Sequence, residues 1–382
     1  LRVTLTPRAV RGTYTGSLMM STTLMHANRQ WATRPAEERF PSLLSMHATM
    51  VERRRASRES VLPSRALSAA PSDDNRGLQI IGPSGNAVAP THWSFGQIAS
   101  LIGAPAGYLR ELPAPVAADC VNFGLKVARD AQDVGVLLRR DDDGVTLRAA
   151  TGPRYGRIWN ADVLSALIDR FGDGRTGAFR VPGEFGREVE VTKDNTTLFA
   201  GDRDMFVFLA DETNRIELPG RRNGQTGTLA RGFFVWNSEE GNTSLGVKTF
   251  LFDFVCCNRI VWGAHELEEI RIRHTASAPG RFLEEVAPAL QAYASASAGK
   301  TMRVIEDARK QRVEQDLDAF LASRFGARIG DRIKAVHLAE EGRPIETVWD
   351  VVTGATAYAK SIPWTADRVA METTAGSLLD AF

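Results

Sequence analysis

Cysteine is almost missing from this 382-residue chain: Cys120, Cys256 and Cys257 are the whole complement, and the last two are adjacent. Neighbouring cysteines do not normally bridge each other, so a disulfide scaffold is excluded and a reducing compartment is indicated. No apolar run approaches the roughly 20 residues that span a bilayer, and the N-terminus has no apolar signal-peptide core. The chain reads as cytoplasmic, without membrane contact. Net charge is also lacking, at +1 from 47 basic and 46 acidic residues, so no whole-chain field advertises a polyanion partner.

Catalytic signatures are equally scarce. His265 opens H-E-L-E-E, but Glu269 stands where a zinc protease helix needs its second histidine. Ala294 stands where a phosphate-binding loop ending in Gly299-Lys300-Thr301 needs its first glycine, and no G-x-S-x-G occurs. The G-x-G-x-x-G from Gly172 to Gly177 follows a helical pattern instead of a strand, and reads as a helix stop and loop. On a strand, Cys256 and Cys257 would point to opposite faces and could not share a metal, so they read as small buried residues. Asp202 and Asp204 lack a matching carboxylate cluster and read as turn residues. No cofactor and no metal are expected. An enzyme is the lesser reading; its nuclease or thiol site would fall at Asp202 and Asp204 or at Cys256, Asn258 and His265.

What is present is the composition of a folded globular chain, 43% hydrophobic and 24% charged. Residues 1–24 read as a leader outside the fold, with translation starting near Met19, Met20 or Met25; an Arg-rich transit peptide is the rival reading. Residues 25–62 read as an amphipathic helical arm ending in Arg53, Arg54 and Arg55. Over residues 1–60, ten arginines face four glutamates, so this arm is basic. Residues 63–275 read as an α/β core, and 276–382 as a helical region. Strand pairs are predicted around GPSGN and DDDG. Short helices should follow Thr91 or Ser94, Pro105 and Pro115, and an amphipathic helix should start at a cap on Asn160. Further strands are predicted over Glu188–Thr192, Thr196–Ala200, Met205–Asp211, Arg231–Trp236 and Leu245–Lys248. The fold class is therefore α+β, with an antiparallel-rich β-sheet core, packed helices and a C-terminal helical region.

Arginine and aromatic side chains carry the functional expectation. Arg154, Tyr155 and Arg157 follow a hairpin, and Arg221, Arg222 and Arg231 flank a Gly-rich loop. Arginines on loops beside strands suit phosphate contact, and Tyr155, Phe233 or Trp236 could stack bases, with Phe233 more in keeping with a core position. Arg53, Arg54 and Arg55 add an auxiliary contact. Asn237, Ser238 and Gly241 read as a turn joining strands, with Cys257 and Asn258 as structural positions after them.

The ordered set RPAEERFPSLLSMHATMVERRRAS, LIGAPAGYLRELPAPVAADCVN, GPRYGRIWNADVLSAL, GDRDMFVFLAD, FFVWNSEEGNTSLGVKTFLFDFVCCNRIVWG and TVWDVVTGATAYAKSIPWTADRVAMETTAGSLL resembles a phage and plasmid-like family built on a shared domain of unknown function. The resemblance runs from about Met25 to the C-terminus. It implies a mobile-element origin and a common α/β core, and supplies no activity. The expectation is a non-enzymatic nucleic-acid-binding protein, acting on single-stranded DNA in replication or recombination and forming a homo-oligomer. A host-defence antagonist or particle component is the third reading.

Overall fold

The structure, a computed structural model, describes residues 34–127, 133–142, 144–181, 190–194, 196–211, 213–221, 225–253, 259–260, 270–313, 316–362 and 365–381. Two mostly antiparallel sheets with packed helices, followed by a helical region, make an α+β architecture.

Helix α1 (Leu43–Arg55) starts at a reciprocal capping box between Ser42 and Ser45 and buries Leu43, Met46 and Met50 at helical spacing. It passes through Ala56 directly into β1 (Ser57–Pro63). There follow β2 (Ser68–Pro71), β3 (Leu78–Ile81) and β4 (Ala87–Pro90), then α2 (His92–Leu101), α3 (Ala106–Glu111) and α4 (Ala114–Val127), and the hairpin β5 (Asp133–Asp141) and β6 (Gly144–Thr151). Thr91 is the cap of α2, accepting from the Ser94 N–H, while the Ser94 hydroxyl donates to the Leu147 carbonyl. The six strands run in the order β1-β5-β6-β4-β3-β2; β4 joins β6 in parallel and the other pairs are antiparallel. Phe95, Ile98, Val121 and Leu125 of the short helices share one core with Ile80, Val88, Val136 and Leu147 of the strands.

Helix α5 (Asn160–Phe171) leads into the second sheet. Its strands are β7 (Phe179–Arg180), β8 (Leu198–Ala200), β9 (Met205–Asp211), β10 (Ile216–Arg221), β11 (Gln225–Asn237), β12 (Leu245–Asp253), β13 (Arg259–Ile260) and β14 (Ile270–Ile272). Central β9, β11 and β12 are buried on both faces. Met205, Val207, Leu209, Phe233 and Val235 enter a core shared with α1 and α5, and their alternate neighbours Phe208, Phe234 and Trp236 enter an aromatic cluster with Phe250 and Phe252. Period-2 alternation with no polar position is why FFVW reads as an unbroken apolar run. The indole of Trp236 lies over its register partner Gly246, where a Cβ would come within 2.0 Å of the ring. Of the strand expected over 188–192, residues 190–192 are not in a strand and the remainder lies outside the described residues.

The C-terminal helices are α6 (Ala278–Arg281), continuing through Phe282–Val286 into α7 (Ala287–Ser295), then α8 (Gly299–Lys310), α9 (Leu317–Phe325), α10 (Ala327–Glu341), α11 (Val348–Ala359) and α12 (Thr365–Gly376). Val304, Ile305, Ile333, Trp349 and Val352 pack against Leu229, Leu251 and Ile260 of the second sheet. The helical region is thus built onto that sheet. Among the described residues, no helix is long and apolar enough to cross a membrane.

Candidate functional site

The β11–β12 turn, Asn237 to Gly241, is where the two sheets meet. Asn237, Ser238, Glu239 and Glu240 are all buried. The Asn237 amide donates to the Ile158 carbonyl and the Asn160 side-chain oxygen, each at 2.8 Å. Ser238 accepts from the Asn242 N–H at 2.9 Å, and the Tyr155 hydroxyl donates to the Ser238 carbonyl at 2.8 Å. Gly241 adopts φ +85°, a conformation a side chain would strain, and a Cβ there would also crowd Thr151 and Gln97.

The two glutamates have different tasks. Glu239 accepts from the Asn160 backbone N–H at 2.7 Å and so caps α5. Asn160 itself is the first helical residue and Trp159 occupies the cap position, so the expected Asn160 cap is supplied from the turn instead. A carboxylate suits that helix end, because unpaired N–H groups and the helix dipole both favour negative charge. The Glu240 carbonyl accepts from Trp93 at 3.0 Å and Gln97 at 2.7 Å, which ties the turn to α2 of the first layer. Its carboxylate lies 3.7 Å from the Arg148 guanidinium. Burial, then the neighbouring Glu239, push the Glu240 carboxyl up to about 8; burial also raises Glu239.

Arginines of the first layer fill the rest of this junction. Arg148 on β6 donates to Asp202 at 2.5 Å, Arg139 on β5 lies 3.8 Å from the same carboxylate, and Arg157 donates to Glu59 at 2.6 Å. Burial works against the Asp202 anion, but Arg148, Arg139 and Arg53 outweigh it and hold its carboxyl below the usual range. Asp204 is buried and paired with Arg34. Both aspartates are therefore occupied by guanidinium groups. Among the described residues no group of three or more His, Cys, Asp or Glu side chains is placed to hold a metal ion.

A second arrangement lies on the other face of the first sheet. Antiparallel pairing of β1 with β5 sets Ser57 opposite Arg139 and Arg58 opposite Leu138, and the Arg140 N–H donates to the Ala56 carbonyl at 3.0 Å. Two arginine runs some eighty positions apart, Arg53–Arg55 with Arg58 and Arg139–Arg140, thereby become neighbours. Strand alternation then divides them: Arg139 turns into the junction, while Arg140 and Arg58 line a cavity of about 850 Å³. Leu62, Ile80, Val88, Val136, Leu138 and Leu147 contribute its apolar lining, and residues 82–87 form a wall; no acidic residue lines it. Arg54, Arg55, Arg58 and Arg140 are exposed. Arg54 pairs with Asp162 and covers the Trp159 ring at 5.2 Å, whereas Arg55, Arg58 and Arg140 make no ion pair with a described residue.

The residues singled out in the sequence separate accordingly. Arg53 is half-buried, donates to the Ala200 carbonyl at 3.3 Å, and has its pKa lowered by burial and by Arg139 and Arg148. Tyr155 stacks on His274 at 4.8 Å, Arg157 sits over Tyr155 at 5.2 Å, and only Arg154 of that segment is exposed. Burial raises the Tyr155 phenol. Arg231 is 2% exposed, donates to the Ala296 carbonyl at 2.6 Å and lies over Tyr293. Arg221 ends β10, away from the other group; Arg222, Cys256, Cys257, Asn258 and His265 lie outside the described residues. The structure brings Arg54 and Arg157 together over the Trp159 ring, and leaves Arg231 in the interior of the second layer. Residues that the sequence reading passed over are Glu239, Glu240, Arg139, Arg148, Arg58 and Arg140. One available signal was Arg148 inside the apolar strand sequence LRAA, since a charge at a core position must find a partner.

Fold and junction together define a two-layer α+β protein whose second sheet carries the helical region. Residues 187–372, covering most of that second layer and its helices, match the family described as a domain of unknown function, DUF932. The chain therefore contains a DUF932 domain, and the six-stranded sheet with α1–α5 lies ahead of it. No curated protein matches the chain, and no solved structure matches it.

Proposed function

We propose that this protein is a non-enzymatic nucleic-acid-binding protein of a phage, plasmid or integrated element, taking a single strand along the cavity of the six-stranded sheet. The observation that carries the reading is the β1–β5 register, which gathers Arg58 and Arg140, without acidic partners among the described residues, beside an apolar, acid-free floor. Phosphates seek unpaired guanidinium groups, and an apolar floor serves unstacked bases but would be wasted on a duplex, whose bases are covered. Several copies along one strand belong to the same reading: Val116, Cys120, Phe123 and Val127 recur at 4-3-4 spacing on the exposed side of α4, where Phe123 is 67% exposed.

Fluorescence anisotropy with labelled single- and double-stranded oligonucleotides at two salt concentrations tests the proposal. Saturable binding that weakens with salt, favours the single strand and is strongly lowered in Arg58→Ala/Arg140→Ala is the expected result; no saturable binding at low salt overturns it. Sedimentation of the wild type beside Phe123→Glu tests self-association.

A further inference from the structure

A second group of arginines without ion-pair partners among the described residues lies in the helical region. Helix α9 turns into α10 at Gly326, and this corner packs beside the end of α11 and the face of α12. Two adjoining cavities of about 470 and 530 Å³ open there, and Phe325, Ile329, Arg332 and Tyr358 line both. Arg328 enters the first cavity and Arg324 the second; all three arginines are exposed.

Charge bookkeeping on the same helices makes this group stand apart. Lys334 pairs with Asp318 and Asp331, Lys360 with Glu340, Arg343 with Asp350 and Arg368 with Glu372. Arg324, Arg328 and Arg332 make no such pair with a described residue. Arg328 and Arg332, one helical turn apart, are like charges at a spacing that disfavours the helix. The first cavity has no acidic lining residue; the second has one, Asp367, together with Met371 and Ile362. Each cavity thus joins two arginines to the same Phe325 and Tyr358 rings.

We propose that this corner is a second contact for single-stranded nucleic acid, Arg328 and Arg332 holding backbone phosphate while a base stacks on Tyr358. The assignment rests on the nucleic-acid reading above and adds a site within the DUF932 domain to the one ahead of it. Planar guanidinium groups match phosphate oxygens, and an aromatic ring beside them accepts any base by its face.

The test uses the full chain and a labelled oligothymidylate of about 30 nucleotides, long enough to engage two sites of a few nucleotides each. Removing two phosphate contacts should lower the slope of log affinity against log salt by about 1.4 for a single strand. Arg328→Ala/Arg332→Ala should show that reduction, and Tyr358→Ala should weaken binding about tenfold. Photo-crosslinking of the wild type with a 5-iodouracil oligonucleotide, which requires no variant to fold, should label the peptide containing Tyr358. Wild-type affinity and salt slope in the arginine variant, with crosslinks confined to residues before 187, overturn the second contact alone, provided Arg58→Ala/Arg140→Ala still lowers affinity. Absence of any wild-type binding removes both readings.

Discussion

Arg139 and Arg140 are consecutive residues on one strand, yet they belong to different environments. Beneath the first sheet, Arg139, Arg148 and Arg157 are buried against Asp202, Glu240 and Glu59. On the opposite face Arg58 and Arg140 look into a cavity with no carboxylate. The buried set holds two layers together and is committed to partners inside the molecule; the exposed set retains its full capacity for an outside anion. An arginine run is therefore not one functional unit, because strand alternation sends successive members to opposite faces.

The contrast breaks most visibly at Arg148. Arg148→Ala removes the closest cation of Asp202 and the guanidinium that faces Glu240, and loss of this charge-assisted hydrogen bond costs about 1.5–3 kcal/mol, read as a fall in melting temperature. A melting curve close to wild type would show that the junction is held otherwise. Asn237→Ala comes next, at about 1–3 kcal/mol, since it strips the Ile158 carbonyl and Asn160 of a buried donor.

Acidity separates the two faces as well. Glu240 keeps its proton in the native state up to about pH 8, whereas its ordinary carboxyl value is 4.5. Between these values the native state binds the additional proton, so this group's stabilisation is complete below pH 4.5 and is lost as pH rises through 8. Chemical denaturation across that window should show stability falling with pH, and Glu240→Gln should flatten the slope; an unchanged slope in the variant would assign it to another group. The smallest effect on stability belongs to the exposed face. Arg58→Ala/Arg140→Ala should shift unfolding free energy by no more than about 0.5 kcal/mol per site while strongly lowering oligonucleotide affinity and its salt dependence. A large loss of stability in that variant would place these arginines with the buried set.

Much of the fold was legible in local pattern. The hairpins around GPSGN and DDDG, the Thr91 cap, the helix ahead of GDGRTG and the apolar alternation of β9 and β11 arise from turn chemistry and side-chain period, which are properties of adjacent residues. The Asn237–Gly241 turn was legible for the same reason. Its role was not: Glu239 and Glu240 look like solvated turn residues until Asn160 of α5, Arg148 of β6 and Trp93 of α2 close over them.

Sequence alone determined that this chain folds as α+β and where most of its turns and helix caps lie, because each follows from composition or short-range geometry. Only the tertiary structure decided which arginines are buried and which are free. The β1–β5 register, pairing residues some eighty positions apart, and the approach of the two sheets set Arg139 and Arg148 beside a carboxylate and Arg58 and Arg140 beside a largely apolar cavity. That choice depends on long-range pairing, for which a run of like residues carries no local signal.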